Sequence, residues 1–203
     1  MRFDGPLPKP KLLEISKDRG VCGAGSHYAQ DLVVGAGGGI RYAVVSVTGL
    51  SDGAGFEPLP RVRFEQKECE YRPHVLAFPA GSTVEIINAD GILHTIHTDS
   101  VKNPAFNLAQ PGFKKRISVV IRYPELIQVT CDAHNWMKAF WFAAANPYYA
   151  VTDHDGAFVI RNVPAGKYRL EVWQEKLGTL SREVTVAPDR TTTVEFVYRP
   201  SKS

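Results

Sequence analysis

The segment from Cys131 to Met137 constrains this chain more than any other, because it reads Cys-Asp-Ala-His-Asn-Trp-Met. It places a thiol, the imidazole of His134 and a thioether on one short loop. The five residues before it, Leu-Ile-Gln-Val-Thr, are mostly β-branched or apolar and predict a β-strand. A further imidazole lies upstream, at His94 or His97, after another predicted strand. To bring these groups together, the chain must fold two strand-end loops to one end of a β-structure.

Two imidazoles, one thiolate and a weakly bound thioether are the donor set of a mononuclear type 1 copper centre. Sulfur ligands favour Cu(I) and imidazole suits both oxidation states, so such a site changes charge with little rearrangement. The pattern Cys-x2-His-x2-Met alone is a weak signal, and its position at a strand end strengthens it. We therefore predict one copper ion per chain, held by Cys131, His134, Met137 and one upstream histidine.

Each of these side chains also has an ordinary structural interpretation. A free cysteine such as Cys131 packs as a small hydrophobe, and methionine commonly fills gaps in a core. A lone histidine on a loop is usually only polar. His94 competes with His97, which in a strand faces the opposite side. The residues alone leave the choice between these two histidines open.

Three segments resemble the cupredoxins, the blue copper family. They are Pro-Ala-Gly-Ser-Thr-Val at 79–84, Asn88 followed six residues later by His94, and the Cys131-x2-His134-x2-Met137 loop, whose short spacing is most similar to amicyanin. The resemblance covers residues 30–147 and implies a Greek-key β-sandwich that binds one type 1 copper ion and carries single electrons. It selects His94 over His97 as the fourth ligand.

The resemblance also assigns roles around the copper. Many cupredoxins have Asn after the first histidine ligand, where it joins the two ligand loops; here Thr95 occupies that position, and its hydroxyl can bond across. A backbone N–H near Thr95 is expected to donate to the Cys131 sulfur. Trp136 is expected to limit the access of water to the metal. The ring edge of His134 is expected to be exposed and to pass electrons.

Two other histidines are weaker candidates for the surroundings of the metal. His74 can approach the copper end of the sheet, although a surface or otherwise bonded imidazole is the simpler interpretation. His97 lies close to His94 and has the same ambiguity. His27 and His154 are predicted to be loop residues to which we assign no partner.

Cys22 and Cys69 remain once Cys131 is taken as the ligand, and both lie beside turn or polar residues. We predict a disulfide between them, which indicates an oxidising compartment. A second metal site at Cys22 and His27 is the alternative, for which only two donors are visible. The first residues lack the apolar core of a signal peptide. We therefore expect a periplasmic or secreted domain from which the signal peptide has been removed.

Composition limits the function classes. The formal net charge is +3, from 24 Lys and Arg against 21 Asp and Glu, which is too small and too dispersed for nucleic-acid binding. It gives weak support for steering toward an acidic redox partner. The most apolar run, at 139–145, is far shorter than the roughly 18 residues that a membrane helix needs. We expect no nucleic-acid partner and no membrane span.

The period of the apolar residues predicts β-structure through most of the chain. Strands are predicted at 32–34, 40–47, 73–79, 82–88, 93–98, 114–121, 125–131 and 138–144. The glycine-rich segment at 51–55 is predicted to be a loop, and 104–112 an irregular stretch with room for one helical turn.

After Pro147 the chain alternates turn and strand signals. The run at 155–170, in which Phe158 and Ile160 share a strand face, resembles the carboxypeptidase-regulatory-like, transthyretin-like β-sandwich. The Asp-x-Asp-Gly motif that begins at Asp153 permits a calcium interpretation. Without a distal Glu, a hairpin turn is the simpler one.

We therefore predict an all-β chain: an N-terminal extension at 1–29, a Greek-key cupredoxin sandwich at 30–147, and a smaller carboxypeptidase-regulatory-like β-sandwich at 148–203 packed on it. About five strands fit into the last part, fewer than the seven usual for that module, and so small a sandwich is marginal alone. The strand at 40–48 can belong to either sheet.

The sequence favours a one-electron carrier that serves an unidentified redox partner protein. Copper storage or delivery is the alternative, since the same donors hold Cu(I). A binding module with a structural copper is a third and weaker one. Enzymatic turnover is not expected, because a copper oxidase or nitrite reductase needs a second copper site.

Overall fold

The computed structural model describes residues 1–50 and 59–199; the loop predicted at 51–55 lies outside the described residues. The all-β prediction is confirmed, since the described part contains seventeen strands and one four-residue helix. Within that part no helix has the length and apolarity needed to cross a membrane.

The elements follow one another along the chain as short strands with brief connections. They are β1 (Arg2–Phe3), α1 (Arg19–Cys22), β2 (Val33–Val34), β3 (Ile40–Arg41), β4 (Val44–Thr48), β5 (Arg61–Lys67), β6 (Glu70–Arg72), β7 (Val75–Pro79), β8 (Thr83–Asn88), β9 (His94–Asp99), β10 (Asn107–Gln110), β11 (Arg116–Val120), β12 (Glu125–Thr130), β13 (Lys138–Ala144), β14 (Tyr149–Val151), β15 (Gly166–Gln174), β16 (Gly178–Val186) and β17 (Val197–Tyr198).

The described residues form two compact units whose segments alternate along the sequence. The sandwich unit comprises residues 11–28 and 59–145, and the terminal unit comprises the remaining described residues, 1–10, 29–50 and 146–199. This differs from the predicted division at residues 29 and 147. Residues 29–50 belong with the C-terminal strands, because β4 is hydrogen-bonded between β14 and β15.

Two sheets face each other in the sandwich unit. Their strand orders are β10-β9-β12-β13-β7 and β11-β8-β5-β6. Alternate residues of β8 are buried, as expected for a strand with one face on a core. Phe64 and Ile86 from one sheet share the core with Ile127 and Trp141 from the other. Burial of these side chains holds the two layers together.

The six strands predicted between residues 73 and 144 are present, with ends that differ from the prediction by at most two residues. The stretch at 104–112, predicted to be irregular, contains β10. Its Asn-Leu-Ala-Gln sequence lacks apolar alternation, and pairing with β9 along the edge of the sheet extends it. β5 and β6 were not predicted either.

The terminal unit is built on a four-stranded sheet in the order β14-β4-β15-β16. The predicted strand at 40–47 is divided into β3 and β4 by Tyr42, which has a left-handed backbone with φ of 64°. Phe158 and Ile160 pack on the core of this unit but do not lie in a strand. The Asp153 carboxylate accepts the N–H groups of Asp155 and Ala157, as a turn residue does.

Candidate metal centre

Three neighbouring strands bring the predicted ligands to one end of the sandwich unit. His94 is the first residue of β9, Cys131 directly follows β12, and Met137 directly precedes β13. Because β12 runs antiparallel to both β9 and β13, these three positions share one edge of the sheet. The loop from Cys131 to Met137 is closed by hydrogen bonds from Met137 N to His134 O (3.0 Å) and from Cys131 N to Met137 O (3.3 Å).

The turn before His94 is built around a buried asparagine. Asn88 Nδ2 donates to the carbonyls of Ile92 (2.7 Å) and Gln110 (3.0 Å). Its Oδ1 accepts the N–H groups of Asp90 and Gly91. The amide therefore satisfies four backbone groups that the turn leaves unpaired, and it fixes where β9 begins.

The three strongest donors converge. The Nδ1 atoms of His94 and His134 lie 3.0 Å apart, and they lie 4.0 Å and 3.8 Å from Cys131 Sγ. A triangle with these sides has a circumradius of about 2.1 Å, close to the metal–imidazole and metal–thiolate bond lengths of protein sites. All three side chains are buried. The cluster therefore fits one metal ion in a trigonal plane of two nitrogens and a sulfur.

Contacts to the sulfur favour its thiolate form. Burial opposes ionisation of Cys131, but contacts with His94 and Thr95 outweigh it and lower the pKa of the thiol to about 6. Thr95 N donates to Sγ at 3.3 Å, in agreement with the prediction. The Thr95 hydroxyl accepts Asp132 N at 2.7 Å and thus joins the two ligand loops. A thiolate is the form in which cysteine binds metal.

Asp90 holds the outer nitrogen of His94, with Oδ2 2.9 Å from Nε2. It also accepts the N–H groups of Glu68 and Cys69. Burial lowers the pKa of His94, but Asp90 and Cys131 outweigh it and raise that pKa to about 9. This carboxylate orients the ring so that Nδ1 faces the cluster. The sequence motifs did not identify Asp90 as a contact of His94.

The structure contradicts the expected exposure of His134. Its side chain is 0% exposed, and Nε2 donates to Asp18 Oδ2 at 2.8 Å. Asp18 lies 116 residues away, in the segment predicted to be a simple extension. The edge expected to pass electrons is therefore covered by a carboxylate that the sequence did not point to.

Trp136 and Met137 are the last two residues of the loop that begins at Cys131. The Met137 side chain is buried in the core of the sandwich unit, 2% exposed, together with Cys131. The Trp136 ring lies 5.0 Å from the His134 ring, centroid to centroid, and its Nε1 donates to Cys69 O at 3.2 Å. Its role in limiting the access of water to the metal stays a prediction.

The remaining histidines lie outside this cluster. His97 is 48% exposed and contacts Asp132, so of the two histidines on this strand only His94 joins the cluster. His74 is buried, and its Nδ1 donates to Lys138 O at 3.1 Å. His154 is exposed and lies 3.1 Å from the Asp155 carboxylate.

The predicted disulfide between Cys22 and Cys69 is present. His27, to which no partner was assigned, is buried beside it. Its Nε2 donates to Cys22 O at 2.7 Å, and its Nδ1 lies 3.0 Å from Glu70 Oε1. The alternative of a second metal at Cys22 and His27 is thereby excluded, because the sulfur is bonded to Cys69.

Comparisons with known proteins give one family match and several similar solved structures. The family model described as the carboxypeptidase regulatory-like domain matches residues 143–199. No curated protein matches the chain. Among solved structures, the chain is similar to a Cu-containing nitrite reductase from Thermus scotoductus SA-01, with 26% identity, a TM-score of 0.40, and coverage of 48% of this chain and 25% of that one. It thus spans about a quarter of that enzyme.

Two smaller proteins are matched over nearly their whole length. A purple cupredoxin from Nitrosopumilus maritimus is 20% identical, with a TM-score of 0.35 and coverage of 41% of this chain and 99% of that one. Amicyanin from Paracoccus versutus is 17% identical, with a TM-score of 0.36 and coverage of 49% and 97%. The family match begins at residue 143 and thus lies almost wholly in the terminal unit, whereas the candidate metal centre lies in the sandwich unit.

Proposed function

We propose that this protein binds one type 1 copper ion and carries single electrons. The observation that supports it most is the convergence of two imidazole Nδ1 atoms and one thiolate sulfur within 4.0 Å of one another. His94, Cys131 and His134 would hold the ion, and Met137 would be its weak axial donor. The bound copper would supply a reversible Cu(II)/Cu(I) couple.

The hydrogen bonds around the cluster would hold its geometry nearly the same in both oxidation states of the copper. The ligand loops are joined by the Thr95–Asp132 hydrogen bond, and each imidazole is held by a carboxylate on its outer nitrogen. Such outer contacts orient the ligands and resist rearrangement. A rigid site with mixed soft and borderline donors suits electron transfer, because little nuclear movement accompanies the change in charge.

The partner and compartment follow from this proposal. We infer a redox partner protein outside the cytoplasm, in the periplasm or the extracellular space, where the Cys22–Cys69 disulfide persists. The net charge of +3 gives weak support for a partner with an acidic surface. The absence of enzymatic turnover stays a prediction.

A potentiometric titration of the copper-loaded protein tests the carrier function. We expect the visible band to bleach on reduction and to return fully on oxidation, with the slope of a one-electron couple, 59 mV per tenfold change in the ratio of the two forms. Irreversible bleaching, or loss of copper in either state over repeated cycles, would contradict the carrier function.

Copper storage or delivery is the second candidate, and one observation favours it. His134 is completely buried under Asp18, so the imidazole edge that a redox partner would approach is not at the surface. A storage protein needs no such edge. It would hold Cu(I) without a stable coloured Cu(II) form, and the same titration separates the two functions.

A further inference from the structure

The segment at 11–28 is not a loose extension. Its two ends meet through a bridge between Leu12 and Tyr28 and a hydrogen bond from Leu13 N to His27 O (2.8 Å). The Cys22 sulfur bonds it to Cys69, in the turn between β5 and β6. We call this closed segment the cap, residues 11–28.

Cys69 connects the cap to both sides of the candidate metal centre. Its N–H donates to Asp90 Oδ2, the oxygen that contacts His94 Nε2. Its carbonyl accepts the indole N–H of Trp136, whose ring lies against His134. The disulfide therefore attaches the cap to Cys69, whose backbone is hydrogen-bonded to the neighbours of both imidazoles.

Asp18 has an unusual conformation for the residue that directly precedes a helix. It is the N-cap of α1, where an Asp side chain ordinarily accepts a backbone N–H of its own helix. Here it makes no such bond, and its backbone is left-handed, with φ of 47° and ψ of 39°. The carboxylate instead reaches His134 Nε2. The left-handed backbone is costly for a non-glycine residue, and Asp18 makes no hydrogen bond to its own helix. This conformation directs the Asp18 side chain to the imidazole.

We propose that Asp18 is a positioning residue for His134, and that the disulfide-anchored cap places it there. This inference rests on the proposed copper function. Asp18 accepts a hydrogen bond from Nε2–H and thereby selects the tautomer of His134 in which Nδ1 carries the free lone pair. Nδ1 is the atom that faces Cys131 Sγ, at 3.8 Å. The sequence motif supplies the ligand, and the cap supplies its orientation.

The charge of Asp18 has a second consequence. A carboxylate hydrogen-bonded to a ligating imidazole makes it a better donor and stabilises the more positive metal. Asp18 and Asp90 together place one carboxylate on each imidazole. Asp18 should therefore favour Cu(II) over Cu(I) at this site and lower the reduction potential of the couple.

Two variants of Asp18 and one matched control test the inference. Asp18→Ala removes the acceptor and the charge, and Asp18→Asn removes the charge while keeping an acceptor oxygen. Glu14→Gln removes the same charge from an exposed position in the same segment. The first readout is the ¹⁵N spectrum of the His134 ring in the apo-protein. The second is Cu(II) affinity by competition with a chelator, and the third is the reduction potential.

We expect the wild-type His134 ring to be protonated at Nε2 with slow exchange, and Asp18→Ala to show mixed tautomers and fast exchange. Asp18→Ala should bind Cu(II) about 10–100-fold more weakly. Asp18→Asn should raise the potential, and Glu14→Gln should match the wild type in all three readouts. Unchanged tautomer and affinity in Asp18→Ala would overturn the inference. So would an equal effect of Glu14→Gln, because net charge would then be the cause.

The two proposals fail in different ways. If the wild type binds no copper, or binds it without a thiolate band, the proposed function fails. The ring spectrum of the apo-protein still decides whether Asp18 sets the tautomer. If the wild type has the band and Asp18→Ala retains the ring protonation and the affinity, only the role of the cap fails.

Discussion

Cys131 is the residue on which the copper assignment depends most. Its sulfur receives the Thr95 N–H and faces both imidazole Nδ1 atoms. Cys131→Ser replaces a soft thiolate by a hydroxyl that stays protonated, so we expect the intense visible band of the copper form to disappear completely. The control is His154→Ala, which removes an exposed histidine from the terminal unit and should leave the band intact. A strong band in Cys131→Ser would refute the assignment.

Met137 can be tested with a pair of variants that shift the potential in opposite directions. Met137→Gln supplies a harder oxygen donor, stabilises Cu(II), and should lower the reduction potential. Met137→Leu keeps the buried volume and removes the donor, so the potential should rise. We expect each shift to reach about 59 mV, a tenfold change in relative affinity. Shifts in the same direction, or none, would remove Met137 from the axial position.

At the residue scale the sequence indicated the candidate ligands but not the residues that hydrogen-bond to them. Cys131, His134 and Met137 are close in sequence, so their spacing was visible. Asp18 is 116 residues from His134, and nothing near it in the sequence marks it as a partner. The burial of His134 was mispredicted for this reason, since the residue that covers it comes from a distant segment.

Glu125, at the start of β12, organises the connection after β9. Its carboxylate accepts the Ser100 hydroxyl (2.6 Å), the N–H groups of residues 101–103, and the Asn103 amide. Burial raises the pKa of Glu125, but these hydrogen bonds outweigh it and lower that pKa to about 2. The ionised carboxylate is therefore a structural part of the sheet edge.

Glu125→Gln should reduce the stability of the sandwich unit by about 1.5–3 kcal/mol at pH 7, the range for hydrogen bonds to charged groups. A lowered pKa gives stability that is present above the unfolded pKa of about 4.5 and is lost as the pH falls toward 2. The wild-type advantage should therefore shrink between pH 5 and pH 2. Urea unfolding of the wild type and the variant, monitored at the backbone amides of β12, measures this difference in stability.

A matched control for this prediction is Glu85→Gln. Glu85 makes a surface ion pair with Arg116 at 3.0 Å, and such pairs contribute little. We expect its effect to be below about 1 kcal/mol at pH 7. If the stability difference between the wild type and Glu125→Gln stays the same from pH 7 to pH 2, the charge of Glu125 does not stabilise the connection.

At the element scale, prediction worked where one face of a strand is apolar. β8 alternates buried and half-buried residues, and it was predicted with nearly correct ends. β10, Asn-Leu-Ala-Gln, has no alternation of apolar and polar residues, so its extended form depends on pairing with β9, which a local pattern does not reveal. The apolar residues of β4 do not indicate which sheet it joins, and only its pairing with β14 and β15 assigns it to one.

At the scale of the whole molecule, the Cys22–Cys69 disulfide joins the cap to the rest of the sandwich unit across a separation of 47 residues. Closing a loop of this length in the unfolded chain stabilises the folded state by about 4 kcal/mol in the chain-entropy model. The double variant Cys22→Ala/Cys69→Ala should lose about that amount in urea unfolding of the sandwich unit. Wild-type protein reduced with a thiol reagent should behave alike. A loss below about 1 kcal/mol would show that the link contributes little.

The alternation of the two units along the chain could not be read from sequence. The predicted boundaries followed changes in residue pattern and placed 30–147 in one domain. In the structure, residues 29–50 belong to the terminal unit and residues 11–28 belong to the sandwich unit. Strand pairing between distant segments determines this division, and a single sequence carries no direct signal for it.

The most direct test is the visible absorption and electron paramagnetic resonance of the apo-protein after one equivalent of Cu(II) is added. We predict an intense blue or green band and narrow copper hyperfine splitting, because the Cys131 thiolate would share its electrons with the copper. Copper binding without the band, and with the wide splitting of ordinary nitrogen and oxygen ligation, would contradict the central claim of a cysteine-ligated electron-transfer centre.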